Sequence, residues 1–259
     1  MLTIYLTYLK IHIKSLLQYK MSFILTAIGQ AFSSMFSLLA IYFLFEKFGD
    51  IQGYTFEDVL ICFVISYLGF SISECFFRGF DSFTSTISNG EFDRILVRPV
   101  NIMLQVLGTK IDFARMGRAV LSIIIFIILF YYCPYLIAID KLITMFFMII
   151  GTVIIFSSLH VLKAGLTFFT IQSLELINIF TDGGRDLSQY PLNIYKKWVL
   201  NFFTYVLPLS MVNYYPLLYV IGKSSNTLYI FAPFVSILFI LPCYLVWKLG
   251  VKKYQSVGS

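Results

Sequence analysis

The sequence predicts an all-α integral membrane protein with six transmembrane helices. Composition is the first reason. Only 12% of the 259 residues are charged and 59% are hydrophobic, whereas a soluble domain carries about 25% charged residues. The second is the recurrence of uncharged runs near the roughly 20 residues that a helix needs to cross the hydrocarbon core. The third is where the charge sits: Lys and Arg gather in short connecting stretches and at the chain ends. The net charge of +6 therefore reads as loops facing anionic lipid rather than as a nucleic-acid surface.

The elements follow in order. From Met1 to Gln18, Leu2, Leu6, Leu9, Ile13, Leu16 and Leu17 share one helical stripe, and Lys10 and Lys14 lie on the other. This assigns residues 1–20 as an amphipathic interfacial helix. Phe23–Phe45 is the first span; its Gln30, Ser33, Ser34 and Ser37 are expected to face neighbouring helices. Val59–Phe77 is the second. Glu74 and Arg78 at its end are four apart, share a helix face and form an edge pair. The loop from Arg78 to Arg118 holds six basic and four acidic residues. Ala119–Ile139 is the third span, Asp140-Lys141 a turn, and Leu142–Leu162 the fourth span. Ala164–Thr181 carries Gln172, Glu175 and Asn178, so it is expected to face the protein interior. Thr181–Asp186 contains Gly183 and Gly184 and reads as a turn cluster. Tyr190–Ile221 is apolar but broken by Pro191, Pro208 and Pro216. Leu228–Trp247 is the last span.

The most patterned polar stretch is Asn89–Pro99. Asn89-Gly90 is a turn pair. Glu91 and Asp93 open a helical run that Arg94 and Arg98 close, the order a helix dipole favours. Pro99 ends it. Phe92, Ile95 and Leu96 give it an apolar face.

Gly90–Asp93 with Leu96–Val100 resembles the conserved cytoplasmic loop of type-2 ATP-binding-cassette (ABC) exporter permeases, in particular six-span permeases with a separate ATPase subunit. Tyr190–Tyr195 with Val206–Leu209, and Gly250–Ser256, fit the same resemblance. It implies a single permease domain over 1–259. Within it, residues 81–118 form a cytoplasmic coupling loop, with a coupling helix between spans 2 and 3 that docks on the ATPase. Residues 182–227 form an extracellular region with re-entrant helices before span 6. It further implies two ATPase subunits that bind ATP and Mg, a second identical or homologous permease subunit, and a plasma-membrane location with both termini cytoplasmic. Glu91, Asp93, Arg94, Arg98 and Pro99 become candidate coupling residues, with Phe92 as the apolar plug.

Two topologies satisfy six spans. In one, Ala164–Thr181 is the fifth span and Tyr190–Ile221 dips in from outside, which leaves 13 of 19 Lys and Arg inside. In the other, 164–197 is cytoplasmic, which leaves 16 inside. The charge rule leans to the second. The resemblance and the three prolines lean to the first, because broken helices are tolerated at membrane depth where protein buries them.

Other chemistry is thinly represented. Gly222-Lys223-Ser224 ends like a P-loop, but Leu217 stands where that motif needs glycine. No ATPase site, resident cofactor or metal site is expected, so the chain is not an enzyme by itself. Glu175, Gln172 and Gln30 are the candidates for lining a translocation path. An ion-coupled secondary transporter would show internal repeats and several intramembrane charges. A membrane-embedded enzyme would show a cluster of catalytic residue types near one face.

Overall fold

The computed structural model of the protein describes residues 2–170 and 174–255. All regular secondary structure among them is helical. Five helices are long and apolar enough to cross a membrane: Lys20–Phe48, Phe56–Phe76, Phe113–Tyr132, Ile139–Thr167 and Leu228–Lys253.

The amphipathic start forms α1, Leu2–Gln18. It turns at Tyr19 into α2, Lys20–Phe48. Gly49 follows with a positive φ of 66°, which suits glycine at a helix end. Thr55 caps α3, Phe56–Phe76, through a reciprocal bond pair with Asp58. Such a box satisfies two of the donors a helix start leaves open. α3 is the centre of the bundle and is buried along almost its whole length, packed chiefly by two later helices. The chain then breaks into α4 (Arg78–Asp81), α5 (Phe83–Ser88), α6 (Phe92–Leu96) and α7 (Ile102–Thr109). A 3-10 turn at Phe113–Arg115 leads into α8, Met116–Tyr132.

α8 is shorter than the expected 119–139 span, because Pro134 starts a 3-10 turn at Pro134–Ile137. Asp140 and Lys141 are correspondingly not a turn. They begin α9, Ile139–Thr167, where an acid favours the helix dipole.

The expected fifth span over Ala164–Thr181 is not one helix. Ala164–Thr167 finishes α9, and α10 takes up at Leu174–Ser188. Thr181–Asp186 is likewise helical rather than a turn. Gly183 and Gly184 have no positive φ, and a Cβ on Gly184 would make ordinary contact with Leu209 and Phe156 at 3.4 and 3.8 Å. Glycine costs a helix roughly 1 kcal/mol, which the packing of α10 along α9 and α3 offsets.

Contacts fix the path from there. Lys163 Nζ donates to Asn178 Oδ1 at 2.9 Å near the start of α10, and Ser66 Oγ donates to the Ser188 carbonyl at 2.8 Å at its end. α10 therefore runs back along α9 from the end that carries Arg78 and Lys163, here called the basic end, to the middle of α3. The chain continues to the opposite, distal end, where Gln52 Nε2 donates to the Ile194 carbonyl at 3.3 Å. α11, Lys197–Tyr205, then turns inward. Phe203, Leu207 and Leu209 join Phe70, Ile155 and Phe156 in one apolar cluster. After Pro208 a π-turn at Ser210–Tyr214 reverses the chain into α12, Tyr215–Val220. Leu217 and Val220 pack with Val59 and Leu60, and Tyr219 Oη donates to Asp140 Oδ2 at 2.9 Å. The segment 195–221 thus enters and leaves by the distal end. Its tip is tied down by Asn213 Nδ2, which donates to Ser66 Oγ at 3.0 Å and to the Ser188 carbonyl. α13 (Leu228–Phe231) and α14 (Val235–Lys253) bring the chain back to the basic end.

Candidate functional site: an anchored loop face and a charged layer

The loop that precedes α8 is shaped from inside. Gly90, with φ 68°, ends α5, and the Glu91 amide donates to the Thr86 carbonyl at 3.0 Å. The helical run expected to Arg98 closes at Leu96, two residues before Pro99 would have required it. Gln105, almost fully buried, donates to the Ile95 and Val100 carbonyls at 3.0 and 2.9 Å. That clamp satisfies backbone acceptors that a five-residue helix leaves open.

Phe92 is not on the outer surface. It is 0% exposed, with its ring centroid 5.3 Å from Phe83, 5.3 Å from Phe168 and 4.8 Å from Tyr254. Phe168 and Trp247 complete the cluster. The exposed face of the loop is instead Glu91, Arg94, Leu96, Val97, Arg98 and Pro99. Val97 is the most open apolar residue there, at 82% exposure. Arg94 lies 3.7 Å from Glu91, a surface pair worth little in itself.

Behind this loop lies a layer of charge. Glu74, buried near the end of α3, takes three guanidinium groups: Arg78 at 3.3 Å, Arg115 at 2.9 Å and Arg118 at 3.0 Å. Arg78 also pairs with Asp81, and Arg115 with Asp112 at 3.1 Å. Arg118 has no second acid among the described residues; its Nε donates to Gln30 Oε1 at 2.7 Å. Asp81 receives Lys163 Nζ at 2.6 Å. Burial alone would raise the Asp81 carboxyl, but His160, Lys163 and Arg78 outweigh it and hold it below the ordinary carboxylate value. On α10, Arg185 pairs with Asp182 at 3.2 Å and Asp186 at 2.8 Å, and lies over the Phe70 ring. The named partners are five bases and five acids, so the layer is close to neutral. Pairing is what permits such charge inside a membrane protein.

Beside the layer is a polar cavity of about 280 Å³, lined by Ser33, Ser37, Tyr67, Arg118, Arg185 and Gln189 among others. Tyr67 Oη donates to Ser37 Oγ at 3.0 Å.

Glu74 and Arg78 are paired. Gln30 accepts from Arg118, which lines the cavity. Glu175 is exposed: α10 starts only at Leu174, so Glu175 stands in a first turn at the basic end instead of inside a span. Gln172 lies outside the described residues. Arg115, Arg118, Lys163, Asp81 and Arg185 were not singled out from sequence. Their one local signal is Arg115 and Arg118, three apart, at the mouth of an uncharged span.

The family model described as ABC-2 family transporter protein matches residues 31–258. No curated protein and no solved structure matches the chain.

Proposed function

Because the chain belongs to the ABC-2 family of transporter proteins, a family of membrane permeases, we propose that it is the permease of an ATP-driven exporter whose energy comes from separate ATPase subunits. Two permease subunits, identical or homologous, enclose the path. Two ATPases bind ATP and Mg. The basic end faces the cytoplasm of a plasma membrane, with both chain termini on that side. The segment 195–221 is then a re-entrant helical pair entering from outside, and α10 with residues 189–194 is the fifth crossing.

The observation that carries this reading is the loop face at Glu91–Pro99: exposed outward and bolted inward by a fully buried phenylalanine. A solvated linker needs no such anchor. A surface that receives force from a partner does, since motion is passed on only through packed elements with discrete arrangements. Glu91, Arg94 and Arg98 supply polar contacts, and Val97 with Leu96 supplies the apolar one. Phe92 serves coupling from within. The cavity beside Arg118 and Arg185, near Gln30, is the candidate stretch of the path.

The test is capture of a co-expressed ABC ATPase by the membrane-inserted chain. Arg94→Ala with Val97→Asp is expected to insert normally and lose at least tenfold in ATPase capture, as interface energy concentrates in a few central anchors. Full capture by this variant would return the loop to the status of a solvated connector.

A further inference from the structure

Two cavities on another face of the bundle run together. The first, about 250 Å³, lies between α9 and α14 and is lined by Val153, Ile154, Ser157, Ile240 and Tyr244 among others. The second, about 190 Å³, lies toward the basic end, with Asn101, Lys248 and Lys252 in its wall. Met103 and Tyr244 line both, so they form one slot with two chemically different ends.

The inner end presents carbon. Its two serines are already engaged: Ser157 Oγ donates to Ser73 Oγ at 3.0 Å, and Ser158 Oγ to the Ile154 carbonyl at 2.7 Å. Water needs several polar partners to stay in a cavity, and none is offered here. The outer end is cationic. Lys248 and Lys252, four apart on α14, share a helix face and have no acidic partner among the described residues. Ile240 to Lys252 spans about 18 Å along the helix at 1.5 Å per residue, against about 15 Å for one leaflet's half of the hydrocarbon core. A dry slot of one leaflet's depth with two free cations at its mouth matches a single class of molecule.

We propose that this slot is a binding site for an anionic glycerophospholipid, one acyl chain lying between α9 and α14 and the phosphate held by Lys248 and Lys252. The proposal does not depend on the ATP-driven export reading. Lipid phosphate is the source, not free phosphate, because the apolar end would otherwise be left unfilled.

The experiment is native mass spectrometry of the full chain, delipidated in detergent and titrated with phosphatidylglycerol. Wild type is expected to hold one tightly bound lipid. Lys248→Ala with Lys252→Ala should weaken that binding at least tenfold. Ile240→Phe, which keeps both lysines and narrows the slot from its lipid-facing edge, should weaken it too. Phosphatidylcholine and inorganic phosphate should not compete. Unchanged binding in either variant overturns the site, as does competition by inorganic phosphate. Circular dichroism of each variant keeps loss of fold separate from loss of lipid.

Discussion

Phe92→Ala separates an anchor from an interface plug. The ring is fully buried against Phe83, Phe168 and Tyr254 at 4.8–5.3 Å. Truncating a buried phenylalanine costs about 3–5 kcal/mol, and edge-to-face aromatic pairs add roughly 0.5–1.5 kcal/mol each beyond their area. With three such partners the loss belongs in the upper half of that range, about 4 kcal/mol. Its location is local. The partners come from α5, from the end of α9 and from the residue after α14, so the loop loses its hold on the bundle while the spans keep theirs. Amide hydrogen exchange reads this directly. Protection in α5 and α6 is expected to fall by roughly 10²- to 10³-fold, at about 1.4 kcal/mol per decade, with α3 and α9 unchanged. Phe92→Leu should cost far less, since it keeps most of the volume. Unchanged exchange in Phe92→Ala would refute the anchor and put the ring back at the surface.

Two further outcomes follow from the charged layer and the chain path. Glu74→Leu strands Arg118, because Arg78 keeps Asp81 and Arg115 keeps Asp112. Breaking a buried pair costs about 3–5 kcal/mol, so thermal stability should drop in Glu74→Leu and recover in part when Arg118→Leu is added; a double variant worse than the single would dismiss the pairing. For topology, Lys196→Cys places a thiol on an exposed position, while the four native cysteines are buried. In intact cells it should react with a membrane-impermeant reagent, and labelling only after the membrane is opened would favour the cytoplasmic alternative for 164–197.

The spans were legible because length and hydropathy are local properties. α2 and α3 match the expected ranges to within three residues at each end, whereas α14 starts at Val235 and runs on to Lys253, beyond the expected Leu228–Trp247. The misreadings share a cause: each turned on what a residue touches from far along the chain. Gly183-Gly184 reads as a breaker until Leu209 and Phe156 are seen against it. Glu74 shows only Arg78 in sequence, since Arg115 and Arg118 arrive some 40 residues later. The apolar side of the Phe92 helix was visible, but not whether it looked outward to a partner or inward to Trp247 and Tyr254. Glu175 was taken for mid-helix because nothing local marks Leu174 as a start.

One contact has a mechanical consequence. An ideal Cβ on Gly165 would sit 2.8 Å from the Trp247 amide, and one on Gly250 2.8 Å from the Gly165 carbonyl. α9 and α14 are therefore notched together where these two glycines meet, with no room for a side chain at that crossing. α9 alone is 29 residues, about 44 Å at 1.5 Å per residue. At the basic end Phe92 packs on Phe168, just after α9, while at the other end Asp140 accepts from Tyr219 in the returning arm of the 195–221 segment. α9 therefore joins the loop to that segment across nearly the full membrane thickness, and by its length each 5° of rigid tilt would sweep its far tip by about 4 Å.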